Sequence, residues 1–298
     1  MTTSTTAAPQ TKEGAHLTDY VHPEVLVSTD WVKENLGQPG IKLVELDVDT
    51  KAYEAGHIPG AVGFNWQTQT QDVVRRDIIN KDQFEKLAGG AEISPSDTVV
   101  LYGDNNNWFA AYGFWLFKIY GHQDVPLMNG GRVKWLNEKD KPLTADPTPV
   151  TPVQYMAKDP DLSLRAFLPQ VFEASKGGKL NLIDVRSPDE FTGKIIAPPG
   201  MNETAQRGGH IPGAKSVPWS QAVNPDATFK SAADLRALYF EQKGVDPKKD
   251  TIAYCRIGER SSHTWFVLKY LLGLNNVKNY DGSWTEYGNL IGAPIEKP

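Results

Sequence analysis

The feature of this sequence that most constrains its fold is an internal repeat. The hexapeptide Gly-His-Ile-Pro-Gly-Ala begins at Gly56 and begins again at Gly209, 153 residues later. Further along, Gly121 matches Gly273, and Asn129-Gly130 matches Asp281-Gly282, both at an offset of 152 residues. The repeats of a solenoid are only about 20–50 residues long, so this spacing indicates two homologous domains in one chain.

The segments around the two copies predict the domain boundaries. Five prolines fall within residues 142–160, a density typical of an extended, semi-rigid linker. We therefore expect a disordered tail over residues 1–23, a first domain over 24–141, a linker over 142–162 and a second domain over 163–298. The tail lacks the basic start and apolar run of a signal peptide. Together with a single cysteine, Cys255, which suits a reducing compartment, this predicts a cytoplasmic protein.

Both halves alternate short β-branched runs with helical patterns. The runs at residues 41–48, 99–102, 180–185 and 252–255 are typical of buried strands, and residues 230–243 and 262–272 have helical patterns. The alternation predicts an α/β fold of two tandem homologous domains, each a mainly parallel sheet flanked by helices. Functional sites in such sheets lie beyond the carboxyl ends of strands. Cys255 is at such an end.

The loop that follows the strand has the composition of a reactive-cysteine loop. Gly258 permits a tight curve that would turn backbone N–H groups inward as an anion nest. A helix capped by Ser261 or Ser262 would add positive potential, and Arg256 and Arg260 add formal charge. These contributions predict a lowered pKa for the Cys255 thiol. The alternative, a buried inert cysteine, fits poorly with two flanking arginines.

With the duplicated hexapeptide, this loop resembles the six-residue active loop of the two-domain rhodaneses, or thiosulfate sulfurtransferases, especially the actinobacterial type. The resemblance covers nearly all of residues 24–295. It implies that the second domain is catalytic, because Gly103 takes the place of Cys255 in the first. It also implies that Cys255 takes a sulfane sulfur from thiosulfate as a persulfide, releases sulfite, and passes the sulfur to cyanide or a thiol in a ping-pong cycle.

The resemblance assigns roles to the other loop residues. Backbone N–H groups from Arg256 to Arg260, through Ile257, Gly258 and Glu259, would hold the outer sulfur. Arg186 and Arg260, with Arg256, would bind the sulfonate of the donor through their planar donor forks. Neither a metal nor an organic cofactor is implied, and the partners would be small sulfur donors and acceptors, with a protein acceptor left open.

Three alternative functions have specific sequence arguments. Mercaptopyruvate sulfurtransferases carry glycine after the cysteine, and Arg256 stands there instead. Cysteine phosphatases place an arginine six residues after the cysteine, where this chain has Ser261. A persulfide carrier for a partner protein would use the same loop as the enzyme. The net charge of −5 argues against nucleic-acid binding, and no apolar stretch of membrane-spanning length is present.

The remaining candidates favour structural interpretations. His57 and His210 occur in both copies, so a role in the fold is expected, as it is for Asp47 and Asp184, which we align with each other. That alignment places Arg186 opposite Asp49 of the first domain. For His263, packing or capping is favoured over general-base chemistry. The insertion at residues 192–208 is interpreted as a lid or as a surface loop.

Overall fold

A computed structural model of the chain describes residues 19–200 and 204–298. Its first half contains the parallel strands β1 (Leu26–Val27), β2 (Ile41–Asp47), β3 (Ala61–Asn65), β4 (Thr98–Tyr102) and β5 (Leu127–Met128). Within the described residues they form one sheet in the order β1-β5-β4-β2-β3. The helices around it are α1 (Thr29–Glu34), α2 (Lys51–Ala55), α3 (Trp66–Gln69), α4 (Lys81–Gly90), α5 (Trp108–Ile119) and α6 (Gly131–Asn137).

The second half repeats this architecture. Its parallel strands are β6 (Asn181–Asp184), β7 (Lys215–Ser216), β8 (Thr251–Tyr254) and β9 (Val277–Tyr280), in the order β7-β6-β8-β9 across the described residues. The helices are α7 (Leu168–Ala174), α8 (Pro188–Phe191), α9 (Ala232–Arg236), α10 (Glu259–Phe266) and α11 (Ser283–Tyr287). Both α9 and α10 continue as π-helical turns, to Gln242 and Leu271. The predicted fold class is therefore confirmed.

The four strands of the second sheet, in the order β9-β8-β6-β7, match β5-β4-β2-β3 of the first. A parallel bridge between Arg165 and Asn279 takes the place of the β1–β5 pairing in the second sheet. In each domain a tyrosine at the end of the central strand accepts a hydrogen bond from the hexapeptide isoleucine: Ile58 N–H to Tyr102 Oη at 3.2 Å, and Ile211 N–H to Tyr254 Oη at 3.1 Å.

This register corrects one alignment made from the sequence. Tyr102 pairs with Glu45 and Tyr254 pairs with Asp184, so the counterpart of Asp184 is Glu45 and not Asp47. Arg186 then corresponds to Asp47 rather than to Asp49. The error arose because β2 runs on for two residues past Glu45 and also ends in an aspartate.

The linker and the first described residues are both attached to the body of the protein. Linker residues bond to domain one through Val153 N–H to Gly89 O at 2.9 Å and Lys158 N–H to Tyr120 O at 3.0 Å. Of the predicted tail, residues 1–18 lie outside the described residues. Tyr20, however, is buried and donates its hydroxyl hydrogen to Lys230 O at 2.6 Å, so the packed chain extends at least to this residue.

Helices α5 and α10 form the centre of the contact between the domains. Phe114 of α5 packs edge-on against Phe266 and Tyr270, with both ring centroids 4.9 Å away. A single hydrophobic cluster extends through both halves, and every residue of α10 is buried. The active-loop candidate at the start of α10 is therefore fixed between two domains. Within the described residues, no helix is long and apolar enough to cross a membrane.

Candidate active site

Cys255 directly follows β8 and is fully buried. Its N–H donates to Ser283 Oγ at 3.0 Å, and its carbonyl accepts from Trp284 N–H at 3.0 Å. The neighbouring carbonyl of Arg256 accepts from Thr285 N–H at 3.0 Å. The first turn of α11 thus anchors the base of the loop to the adjacent strand end.

Gly258 sets the curvature of the loop. Its φ is +104°, and a Cβ at this position would lie 2.7 Å from Asp281 Cα, so only glycine fits. Its left-handed conformation begins α10 at Glu259, so the prediction that Ser261 or Ser262 caps the helix is wrong. Both serines lie in the first turn, where each hydroxyl donates to Gly258 O, at 3.1 and 2.7 Å.

Three groups surround the Cys255 sulfur. Gly258 N–H donates to Sγ at 3.1 Å, and the Ser261 hydroxyl lies 3.6 Å away. The thiol itself donates to Glu259 Oε2 at 3.5 Å. The inward N–H group expected of an anion nest is present, together with a carboxylate that the sequence interpretation left without a role.

The prediction of a lowered cysteine pKa is wrong for this structure. Burial raises the pKa of the Cys255 thiol, and the negative charge of Glu259 raises it further. The opposing effects of Arg260 and Ser261 are smaller. The sequence argument counted both arginines as nearby cations but did not count the carboxylate between them or the loss of solvent.

Arg260 is engaged in a buried ion pair rather than held open to the cleft. Its Nη1 and Nη2 atoms donate to the two oxygens of Glu190, at 3.0 and 3.1 Å. Burial alone would raise the pKa of Glu190, but the hydrogen bonds from Arg260 lower it. Glu190 in turn closes a capping box with Ser187 at the start of α8. The pair therefore ties α10 to α8, the short helix that follows β6.

Arg186 is 0% exposed, and its contacts lie within its own domain. It donates to both oxygens of Asp184, from Nε to Oδ1 at 3.0 Å and from Nη2 to Oδ2 at 2.6 Å, and to Gly209 O at 2.7 Å. Its guanidinium lies 4.5 Å from the Trp284 ring centroid. The structure thus places Arg186 beneath the hexapeptide turn.

The first domain also has a cation bonded to the first hexapeptide carbonyl and to a buried carboxylate, but the cation is a different residue. Arg132 bonds Glu45 Oε1 at 2.8 Å and donates to Gly56 O at 2.6 Å. Gly56 and Gly209 are the equivalent glycines of the two hexapeptides, and Arg132 aligns with Trp284 at the 152-residue offset. A buried cation under this carbonyl is therefore common to both domains, including the one without a cysteine.

A cavity of about 590 Å³ lies between the domains beside the loop. Arg256, Ile257 and Glu259 line it from the second domain, and aromatic residues including Trp66, Trp108 and Phe109 line it from the first. Of the three predicted substrate-binding arginines, Arg256 lies in this lining, whereas Arg186 and Arg260 do not.

Sequence reasoning missed Arg76, a first-domain residue in the same lining. Its Nη2 donates to the active-loop carbonyl of Ile257 at 3.4 Å. The adjacent arginines 75 and 76 were visible in the sequence, but no pattern linked their loop to Cys255, some 180 residues away. Only the packing of one domain on the other brings them together.

The first domain has no room for a side chain at Gly103, the position equivalent to Cys255. A Cβ on Gly103 would lie 2.5 Å from Leu46 O and 2.6 Å from Asp47 Oδ1. Asp104, the counterpart of Arg256, donates its N–H to Asp47 at 2.7 Å. Burial and the neighbouring Asp104 raise the pKa of Asp47 to about 9. Acidic groups thus stand where the second domain has Arg186 and Arg256.

The histidines have the structural roles expected from the repeat. The Nδ1–H groups of His57 and His210 each donate to a backbone carbonyl at 2.9 Å, that of Tyr53 and of Phe191, and each ring stacks on the same residue. His263 packs between Phe229 and Trp219, with ring centroids at 4.9 and 5.3 Å. Burial lowers the pKa of His263 to about 3, which does not suit a general base.

The insertion at residues 192–208 lies partly outside the described residues, since 201–203 are not described. Gly200 lines the cavity, and Arg207 Nε donates to Gly288 O at 3.0 Å, which attaches the end of the insertion to α11. Among the described residues, no group of histidine, cysteine and acidic side chains could hold a metal ion.

The chain was compared with known proteins. A family model described as "Rhodanese-like domain" matches residues 28–138 and again 169–290. The chain is 59% identical over 275 residues to a Mycolicibacterium smegmatis protein named "Putative thiosulfate sulfurtransferase", covering 92% of this chain and 98% of that one. It is 55% identical over 282 residues to "Sulfur carrier protein TtuD" of Thermus thermophilus, covering 93% and 98%.

Solved structures agree on the fold. An Escherichia coli structure described by the "Rhodanese" fold of 3-mercaptopyruvate sulfotransferases superposes with a TM-score of 0.75 at 24% identity, covering 87% of this chain and 98% of that one. A complex of EanB/Y353A with ergothioneine superposes with a TM-score of 0.80 at 25% identity, covering 92% and 70%.

Proposed function

Since the chain belongs to the rhodanese family, with a rhodanese-like domain in each half, we propose that it is a thiosulfate sulfurtransferase in which Cys255 carries the transferred sulfur as a persulfide. The acceptor is cyanide or a thiol. One observation carries the proposal: the only cysteine of the chain lies at a strand end with the Gly258 N–H directed at its sulfur, 3.1 Å away.

The first half-reaction is a displacement at sulfur. The Cys255 thiolate attacks the outer sulfur of thiosulfate, the S–S bond of the donor breaks, and its electron pair leaves with sulfite. The product is the Cys255 persulfide. The N–H of Gly258, already aimed at the cysteine, stabilises the charge on the sulfur.

Arg256 is our choice for binding the donor, because it lines the cavity beside the loop. A guanidinium matches the oxygens of a sulfonate as it matches those of other oxyanions. Arg186 and Arg260, which the sequence also assigns to the donor, support the site from buried ion pairs with Asp184 and Glu190. Arg76 faces the same cavity from the first domain.

In the second half-reaction the acceptor attacks the outer sulfur of the persulfide and the Cys255 thiolate leaves. A cavity of about 590 Å³ has room for acceptors larger than cyanide, including organic thiols. A second candidate function, persulfide carrier for a protein partner, is favoured by the 55% identity to a protein named as a sulfur carrier. It uses the same chemistry and differs only in the acceptor.

The test is steady-state formation of thiocyanate from thiosulfate and cyanide. The proposal predicts ping-pong kinetics, and it predicts that Cys255→Ser abolishes turnover, because the hydroxyl does not ionise near neutral pH. The folded state of that variant is checked by its melting temperature. Undiminished turnover by Cys255→Ser would remove the cysteine from the mechanism. Loading by thiosulfate with slow release to cyanide and thiols would favour the carrier role.

A further inference from the structure

We infer that Glu259 is the general base of this site: it accepts the proton of the Cys255 thiol in the donor half-reaction and returns it when the sulfur leaves. The inference rests on the proposed function for its substrates. It concerns an active-loop residue whose side chain has no role in the function implied by the sequence, which uses only its backbone N–H group.

The geometry singles out Glu259. It occupies the first position of α10, where its Oε2 lies 3.5 Å from Cys255 Sγ and accepts the thiol hydrogen. The Gly258 N–H that also contacts the sulfur is a donor and cannot take a proton. The Ser261 hydroxyl is a far weaker base than a carboxylate. Among the described contacts of the sulfur, Glu259 is therefore the group able to accept its proton.

The position of Glu259 also gives it access to the reactants. The residue is 2% exposed, yet it belongs to the lining of the cavity between the domains. It thus contacts the buried sulfur on one side and the cavity on the other. A buried carboxylate beside a cysteine destabilises a thiolate by charge repulsion, so its presence is not explained by stabilisation of the thiolate alone.

The protonation state of the sulfur creates the need for a base. Burial and Glu259 together raise the pKa of the thiol, which favours S–H over S⁻ in the resting site. Attack on thiosulfate requires the thiolate. A base in contact with the sulfur removes this obstacle, because the proton can leave as the new S–S bond forms.

The proton balance closes over one cycle. In the first step the S–H bond breaks and the proton moves to Glu259, Sγ bonds to the outer sulfur of thiosulfate, and sulfite leaves with the electron pair of the broken S–S bond. In the second step cyanide takes the outer sulfur as thiocyanate. The released Cys255 thiolate then recovers the proton from Glu259. No oxidant or reductant is needed, since only a sulfane sulfur changes place.

Several charged groups and one tyrosine face this pair from the surrounding elements. Arg260 Nε lies 3.8 Å from Glu259 Oε1, while the Nη1 and Nη2 atoms of the same side chain bond to Glu190. The others are Arg256 in the loop, Asp281 after β9, Tyr112 on α5, and Asp72 and Arg76 in the cavity lining from the first domain. The arginines offset the charge of Glu259 when a dianionic donor enters the cavity.

The experiment is the pH dependence of persulfide formation in a single turnover, followed by intact mass after quenching. Wild type is expected to give a nearly flat rate between about pH 6 and 9, because the base is built in. Glu259→Gln, which keeps the shape but not the basicity, is expected to give a rate that rises about tenfold per pH unit until the thiol ionises. Glu259→Asp should restore part of the flat profile.

A control variant tests whether any effect on the pH profile is specific to Glu259. Asp72→Asn removes a negative charge from the same cavity lining without a described contact to the sulfur, and it should keep the flat profile whatever its rate. A flat profile for Glu259→Gln, or a rate above wild type at every pH, would overturn the inference. Wild type that gains no sulfur from thiosulfate would instead refute the proposed function. The pH profile of iodoacetamide alkylation in the same variants then tests Glu259 without a sulfur donor, with the same flat and rising profiles expected.

Discussion

Replacing Arg186 by alanine separates the two roles that this residue has been given. The sequence resemblance assigns Arg186 to the donor, whereas its contacts in the structure are with Asp184, Gly209 O and the Trp284 ring. We expect Arg186→Ala to act on stability and to slow both half-reactions alike.

The magnitude follows from burial. Both members of the Asp184–Arg186 pair have 0% side-chain exposure, so the variant leaves a carboxylate buried without its partner. Breaking a buried ion pair from one side costs about 3–5 kcal/mol. At about 2–4 °C per kcal/mol for proteins of roughly 150–250 residues, the melting temperature should fall by about 6–20 °C.

The assay measures the melting temperature and the two half-reactions separately, the second with enzyme preloaded as the persulfide. Arg132→Ala is the matched control, because it breaks the equivalent buried pair with Glu45 in the domain that lacks a cysteine. It should also lower the melting temperature. A loss of roughly ten- to a hundred-fold confined to the thiosulfate step, the size expected for one lost hydrogen bond to a charged group, with an unchanged melting temperature, would refute the scaffold role.

Two further predictions concern Arg256 and His263. Arg256→Ala should slow the thiosulfate step roughly ten- to a hundred-fold through loss of a hydrogen bond to the charged sulfonate, and the cyanide step much less, as measured by single-turnover kinetics; equal losses in both steps would exclude donor binding. His263 has a folded-state pKa of about 3 against about 6.5 when unfolded, so only the unfolded chain gains its proton as the pH falls from about 6.5 towards 3. That contribution weakens stability by about 1.6 kcal/mol between pH 6.5 and 5. Between these two pH values, the free energy of unfolding of His263→Phe, measured by urea denaturation, should therefore fall by about that much less than the free energy of unfolding of wild type. Identical losses in the two proteins would contradict the assignment.

Much of the fold follows from local sequence patterns. The repeat, the strand before Cys255 and the helix after it depend on periodicity and on paired motifs, which persist whatever the rest of the chain does. The two-domain rhodanese assignment made from the loop and the hexapeptide is confirmed by the family match in both halves. The capping prediction was wrong because the left-handed φ of Gly258 moved the helix start by several residues.

The electrostatics of the site could not be predicted from local sequence patterns. The sign of the thiol pKa shift depends on burial and on which charge lies nearest to the sulfur. Arg260 bonds to Glu190, which is 70 residues away in sequence, and no local pattern predicts this contact. The proximity of Arg76 to the active loop depends on how one domain packs on the other. Such long-range contacts leave no periodic or motif signal in a single sequence.

The central claim is that Cys255 carries the sulfur. The most direct test is the intact mass of the protein after incubation with thiosulfate and removal of small molecules. The account predicts a gain of one sulfur atom in wild type, its loss with release of thiocyanate on addition of cyanide, and no gain in Cys255→Ser. An unchanged mass in wild type whose thiol is still free to react with an alkylating agent would contradict it.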